Sequence, residues 1–183
     1  MIIYTTATSQ EDLDGILQLQ KANLPINLTP EEMAAQGFLT VVHSLSDLRK
    51  MNELEQHVIA KDNDKVVAYL LAMTAKSKGE IPILAPMFKS FDTLFFNEKP
   101  VADHNYIVVG QVCVNKFYRG RGILDNCYAT FKQNFQSKYD FAITEIATKN
   151  PRSLNAHKRI GFINLCTYAA PDGVEWQVVI WNW

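Results

Sequence analysis

The sequence predicts an α/β (α+β) fold: a mixed, mostly antiparallel central sheet with helices on both faces, in one domain spanning residues 1–183. Three observations predict it. Runs rich in β-branched and aromatic residues alternate with segments of helical period along the whole chain. Two apolar runs flank the turn Pro171-Asp172-Gly173 near the end, which gives an antiparallel hairpin. A chain of 183 residues with 48% apolar composition can bury the single substantial core such a sheet needs.

Taken in order, residues 2–6 form a short strand. Ser9 then precedes a helix over 11–23, with Leu13, Ile16, Leu17 and Leu19 on its apolar side. Pro25 and Pro30 break it, and Thr29-Pro30-Glu31-Glu32 starts a second short helix by N-cap chemistry. Residues 37–42 look extended. Ser44 or Ser46 caps a helix running to about Gln56. Strands follow at 57–60 and 66–74, joined by Asp62-Asn63-Asp64. From about Lys76 to His104 the chain shows no clear strand, and Met87, Phe88, Phe91, Leu94 and Phe95 suit a short amphipathic helix. Long excursions of this kind serve as lids or binding loops, or add packing or a homodimer surface.

Residues 106–135 organise the rest. Residues 106–114 read as a buried strand. From Gly122 on, Leu124, Cys127, Tyr128, Phe131 and Phe135 recur at helical spacing. Between the two lies Arg119-Gly120-Arg121-Gly122, a glycine loop feeding a helix N-terminus. There the unpaired N–H groups and the helix dipole favour an anion, and glycine lets a phosphate come close. An ordinary basic turn is the other reading of the loop. Residues 141–148 form the next strand. Asn150-Pro151-Arg152-Ser153 opens a helix, with Asn as cap and Pro at the first position, and Gly161 closes it ahead of Phe162. Residues 163–169 and 176–183 are the hairpin strands.

The pair of motifs resembles the GNAT superfamily of N-acetyltransferases, over roughly residues 106–163. Arg119, Gly122 and Leu124 fill that family's Arg/Gln-x-x-Gly-x-Gly/Ala pattern, with Leu in place of Gly or Ala. Asn150, Ser153, His157, Gly161 and Phe162 fill Asn-x-x-Ala/Ser-x-x-x-Tyr-x-x-x-Gly-Phe, with His in place of Tyr. The resemblance implies an acetyl-CoA-dependent N-acetyltransferase acting on a primary amine, with no metal cofactor. It puts the cofactor's pyrophosphate on Arg119, Gly120, Arg121, Gly122, Ile123 and Leu124. It puts the pantetheine arm on the main chain of Val112, Cys113 and Val114, with Asn150 or Asn155 able to hydrogen-bond it. It also makes 76–104 an insertion between the third and fourth strands.

Two side chains are candidates for proton chemistry. Glu145 sits inside an apolar strand, where a carboxylate needs a reason; burial would raise its pKa toward that of a general base. A structural ion pair is the competing explanation. His157 falls on the inward face of its helix, where the resembled family uses Tyr as the acid that protonates the departing thiolate; a hydrogen-bonded core His is the alternative. Cys113 reads as a packing thiol ahead of an acyl relay. Gly110 hints at a bulge or a close approach, with a simple space-saving glycine as the equal alternative.

Composition narrows the partners. A net charge of −1 argues against a broad nucleic-acid footprint, although Arg119, Arg121, Lys132, Lys138, Lys149, Arg152, Lys158 and Arg159 could build a local one. Three cysteines without metal-ligand spacing suit a reduced, cytoplasmic protein, and neither a secretory signal nor a membrane span is evident. The acceptor is then a small-molecule or peptide amine. An acyl-CoA-binding or sensing module with the same fold and little catalysis is the alternative, motivated by Leu124 and His157.

Overall fold

The computed structural model describes residues 1–183, the side chain of Ala34 excepted. The chain runs β1 (Ile2–Thr6), α1 (Gln10–Ala22), α2 (Pro30–Gln36), α3 (Leu45–Leu54), β2 (Val58–Asp62), β3 (Lys65–Thr74), α4 (Ser77–Glu80) and α5 (Ala85–Asp92). It continues through β4 (Phe95–Phe96), β5 (Lys99–Pro100), β6 (Tyr106–Val114), α6 (Ile123–Phe135), β7 (Phe141–Ala147), α7 (Pro151–Ile160), β8 (Ile163–Ala169) and β9 (Glu175–Trp181). Seven strands form one sheet in the order β1-β2-β3-β6-β7-β9-β8. Every neighbouring pair is antiparallel except β6 and β7. The mixed sheet expected from the sequence is therefore present, and its one parallel pair lies at the centre.

The helix starts follow local chemistry. Ser9, Thr29 and Ser44 each accept from the backbone N–H three residues on, and Asp12, Glu32 and Asp47 return a bond to the cap. Helix α7 opens on Asn150 with Pro151 in its first turn and closes on Gly161 at φ 116°.

The sheet separates two apolar layers. On one face α1, α3 and α5 cover Tyr69, Leu71, Met73, Val108, Ile143, Val178 and Ile180. On the other, α6 covers Leu70, Ala72, Ile107, Val109, Ala142 and Val179 through Ile123, Cys127, Tyr128, Phe131 and Phe135.

Two segments depart from expectation. Residues 37–42 form no strand, because their backbone groups are claimed by other partners. Leu39 N–H donates to Asn23 O at 3.2 Å, His43 N–H to Gln20 Oε1 at 3.0 Å, and Gln111 Nε2 to Val41 O at 2.8 Å. The 76–104 segment holds α4, α5 and a two-residue hairpin, β4–β5, turned by Asn97 and Glu98 at φ 50° and 62°. Its Phe88 and Phe91 are fully buried in the first layer, with Phe91 edge-on to Tyr106 of β6. Burial on that scale contributes about 1.5–3 kcal/mol per side chain, so the segment is part of the core.

Candidate active site

The central parallel pair does not stay paired. Tyr106, Ile107 and Val108 match Phe141, Ala142 and Ile143, and no further rungs form. The next residue of β7, Thr144, spends its hydroxyl on Val109 O at 2.7 Å. Beyond this point the strands part. On its other side β6 bulges: Leu70 opposes Val112 whereas Ala72 opposes Val109, so Gly110 and Gln111 share one extra position. Gly110 is needed there, because an added Cβ would overlap the buried Met73 thioether. The parted strands open a cleft of about 730 Å³ bounded by Val109–Val114, Thr144–Ala147, the 35–41 segment and the first turns of α6 and α7.

The glycine loop forms one end of this cleft. Gly120 and Gly122 adopt φ 73° and 72°, and a Cβ at Gly120 would meet nothing within 4 Å. Gly122 caps α6 without any side-chain acceptor, so the first-turn amides lack an intrahelical partner. A cradle of bare backbone donors with open space in front of it fits a phosphate.

The two arginines of the loop behave differently. Arg119 turns back into the fold, donating from Nε to Val114 O at 2.9 Å, from Nη2 to Asn23 Oδ1 at 2.7 Å and from Nη1 to Gln36 Oε1 at 3.2 Å. It ties the end of β6 to the C-termini of α1 and α2. Arg121 is exposed, its guanidinium 5.6 Å from the Tyr118 ring centroid, and it does not line the cleft. Val112, Cys113, Val114, Ile123, Leu124, Asn150 and Asn155 all do. Leu124 is half-buried and packs on the second layer. Asn150 spends its Oδ1 on Ser153 N–H, as a helix cap, and lies against Gly37 and Phe38. Burial pushes the Cys113 thiol up to about 12, so it stays protonated and packs.

Glu145 and His157 both reach the cleft wall. Burial raises the Glu145 carboxyl above its ordinary range, partly offset by the Tyr168 hydroxyl, which donates to Oε2 at 2.6 Å. Its Oε1 has no protein partner among the described residues and keeps contact with solvent. His157 has nothing to spare. Nδ1 lies 2.8 Å from Ser153 O, which can only accept, so Nδ1 carries the proton. Nε2 then accepts from the Tyr128 hydroxyl at 2.6 Å. Burial lowers the His157 pKa to about 4. No ring N–H is left to donate to a thiolate, and the imidazole is neutral at neutral pH. The geometry matches the core-histidine alternative.

Sequence reasoning missed the residues that hold the 37–43 segment in place along the cleft. Gln111 accepts from Tyr69 Oη at 2.6 Å while holding Val41, and Gln20 exchanges two bonds with the His43 backbone. A glutamine inside an apolar strand was a signal of this; Gln20 and Asn23, on a helix, carried none.

The model of the acetyltransferase (GNAT) family matches residues 18–162. The chain belongs to this family. No curated protein sequence matches it. Among solved structures, it resembles a chain of the NatC complex bound to Gag peptide and CoA, at TM-score 0.66 and 16% identity over 100% of this chain and 98% of that one. It also resembles the ribosomal-protein-S18-alanine N-acetyltransferase from Escherichia coli, at 0.62 and 10% over 98% and 92%. NAA60 from Arabidopsis thaliana in complex with acetyl-CoA gives 0.61 and 11%, with both chains covered completely. At these identities the likeness establishes the fold.

Proposed function

We propose that this GNAT protein is an acetyl-CoA-dependent N-acetyltransferase that passes the acetyl group directly to a primary amine. The observation that carries the reading is the parted β6–β7 pair, with a glycine cradle for phosphate at one end and a buried carboxylate with one free oxygen on its wall. Solved structures of similar fold, bound to CoA or acetyl-CoA, support the cofactor, and the Gag peptide of one supports a peptide or small-molecule amine as acceptor.

When bound, acetyl-CoA supplies the acetyl thioester. The backbone from Gly120 to Leu124 holds its pyrophosphate, and the main chain of Val112, Cys113 and Val114, on the side turned away from β3 where β7 no longer pairs, aligns the pantetheine arm. Asn155, exposed at the cleft, is placed to bond that arm. Glu145 takes the proton from the acceptor ammonium through its free Oε1, so that a neutral amine attacks. An N–H of the bulged stretch of β6 receives the charge that develops on the carbonyl oxygen. Water protonates the departing thiolate, because His157 is committed to Ser153 and Tyr128.

Thiol release from acetyl-CoA across a panel of small amines and peptides tests the reading. Turnover with at least one acceptor is expected; CoA binding without release over the whole panel would establish the sensing module instead. Gly122→Val should abolish CoA binding by calorimetry, since it strains a left-handed position and covers the cradle.

A further inference from the structure

We propose that Tyr168 is a positioning residue for Glu145. This rests on Glu145 being the base, as read above.

The argument begins with the strand that carries Tyr168. β8 is a sheet edge, its pairing with β9 is irregular between Asn164 and Cys166, and much of it is exposed. An edge strand by itself would leave a tyrosine side chain free to swing into solvent. Two contacts prevent this. Trp176 sits opposite Tyr168 on β9. The Tyr168 ring packs on the apolar layer to which α5 contributes Met87, Phe88 and Phe91. The phenol hydrogen is then directed at Glu145 Oε2, 2.6 Å away.

The consequence for Glu145 is specific. With Oε2 occupied, Oε1 is the oxygen that faces the acceptor, so the carboxylate meets the amine in one orientation. A hydrogen bond to the charged form also favours ionisation against the burial that opposes it. No other group supplies that support. Across β9 the opposing residue is Val178; β8 contributes Tyr168 and the Cys166 thiol; and no Lys or Arg among the described residues enters the Glu145 charge balance.

The test follows the Glu145 carboxyl directly. Its ¹³C resonance, identified by its absence in Glu145→Gln, is titrated in wild type and Tyr168→Phe, alongside kcat/KM against pH for the best acceptor. Tyr168→Phe should move the carboxyl midpoint upward and carry the acid limb of kcat/KM with it. The loss on that limb should be about tenfold or more, as for a hydrogen bond to a charged group, and should vanish on the alkaline plateau. An unmoved midpoint in Tyr168→Phe overturns the proposal, even if Glu145→Gln abolishes turnover. A midpoint that moves while the acid limb stays put overturns the base assignment and the catalytic half of the proposal with it.

Discussion

Glu145 and His157 stand on the wall of one cleft, and their surroundings use them in opposite ways. Both are largely buried, and burial disfavours the charged form of each: it raises the carboxyl and lowers the imidazole to about 4. The difference lies in the remaining valences. Glu145 has one oxygen held and one free, whereas His157 has both nitrogens held by Ser153 and Tyr128. A buried polar group with capacity left over is available to a substrate; one whose capacity is used serves the fold. The same contrast recurs in the glycine loop, where Arg119 is used up and Arg121 is free.

The largest effect expected from this contrast is in acid stability. His157 and the fully buried His57 both have folded pKa values near 4 against an ordinary value of 6.5. His57 is likewise saturated: Nδ1 accepts from Ala72 N–H at 3.1 Å, and Nε2 lies 3.1 Å from Leu48 O. Their folded pKa values are depressed, so between pH 6.5 and 4 the unfolded chain binds more protons and stability falls as pH falls. Each contributes about 3 kcal/mol of loss by pH 4, together comparable with the whole stability of a typical domain. Glu145 has the opposite sign. Its folded pKa is raised, so protonation above the ordinary carboxylate value stabilises the fold, and Glu145→Gln should steepen the acid loss. Urea unfolding between pH 7 and 4 measures both; a flat profile would contradict the saturated histidines.

Next in size is turnover. Glu145→Gln removes the free proton acceptor at nearly constant shape, and the loss at neutral pH should be on the order of a hundredfold. It should shrink at high pH, where the amine is already neutral. Steady-state kinetics across pH check this, and a variant with wild-type turnover at pH 7 would leave water as the base.

His157→Phe should act on stability. It strands the Tyr128 hydroxyl, which is 1% exposed and enclosed by the Phe162 and Trp181 rings, at a cost of about 1–3 kcal/mol. Adding Tyr128→Phe removes the orphan, so the double variant should recover much of the loss. Turnover per folded molecule should hold in both. A hundredfold fall in His157→Phe alone, with stability retained, would return His157 to the chemistry.

What could be read from the sequence divides along the same line. The β6–loop–α6 unit and the caps of α7 were legible because each is written in neighbouring residues: periodicity, a glycine pair, Asn-Pro at one helix end and Gly at the other. Gly110 was legible only as a choice between a bulge, a close approach and a space-saving glycine, and the structure makes it a bulge. Occupancy was not legible. His157 is saturated by a tyrosine 29 residues away, and Arg119 by Asn23 and Gln36, 96 and 83 residues away. The 37–43 segment has strand-like composition, yet its backbone bonds go to Gln20, Asn23 and Gln111, so the ladder a strand needs never forms. The phenylalanines of 76–104 showed an amphipathic helix; which face of the sheet it would cover depended on partners such as Tyr106 of β6, which come later in the chain.

The smallest expected effect separates the two arginines. Arg121 carries a solvated charge next to the phosphate cradle, so Arg121→Ala should weaken CoA binding only a few-fold, as is usual for a screened surface contact, and should flatten its salt dependence. Arg119 is half-buried and holds three elements together, and burial lowers its pKa. Arg119→Ala leaves Asn23 Oδ1 and Val114 O without their donor, so it should lower the unfolding midpoint. In the molecules that remain folded, the salt dependence of CoA binding should stay as in wild type, because the Arg119 charge points away from the cradle. Arg119→Lys should not rescue, since one ammonium cannot span acceptors fixed for a planar guanidinium. Calorimetric titration with CoA at two salt concentrations, with thermal unfolding alongside, reads both variants. A salt slope that flattens in Arg119→Ala and persists in Arg121→Ala would reverse the assignment: the guanidinium seen tied to Asn23 and Gln36 would have to leave them when CoA binds, and the α1–α2 corner would loosen with it.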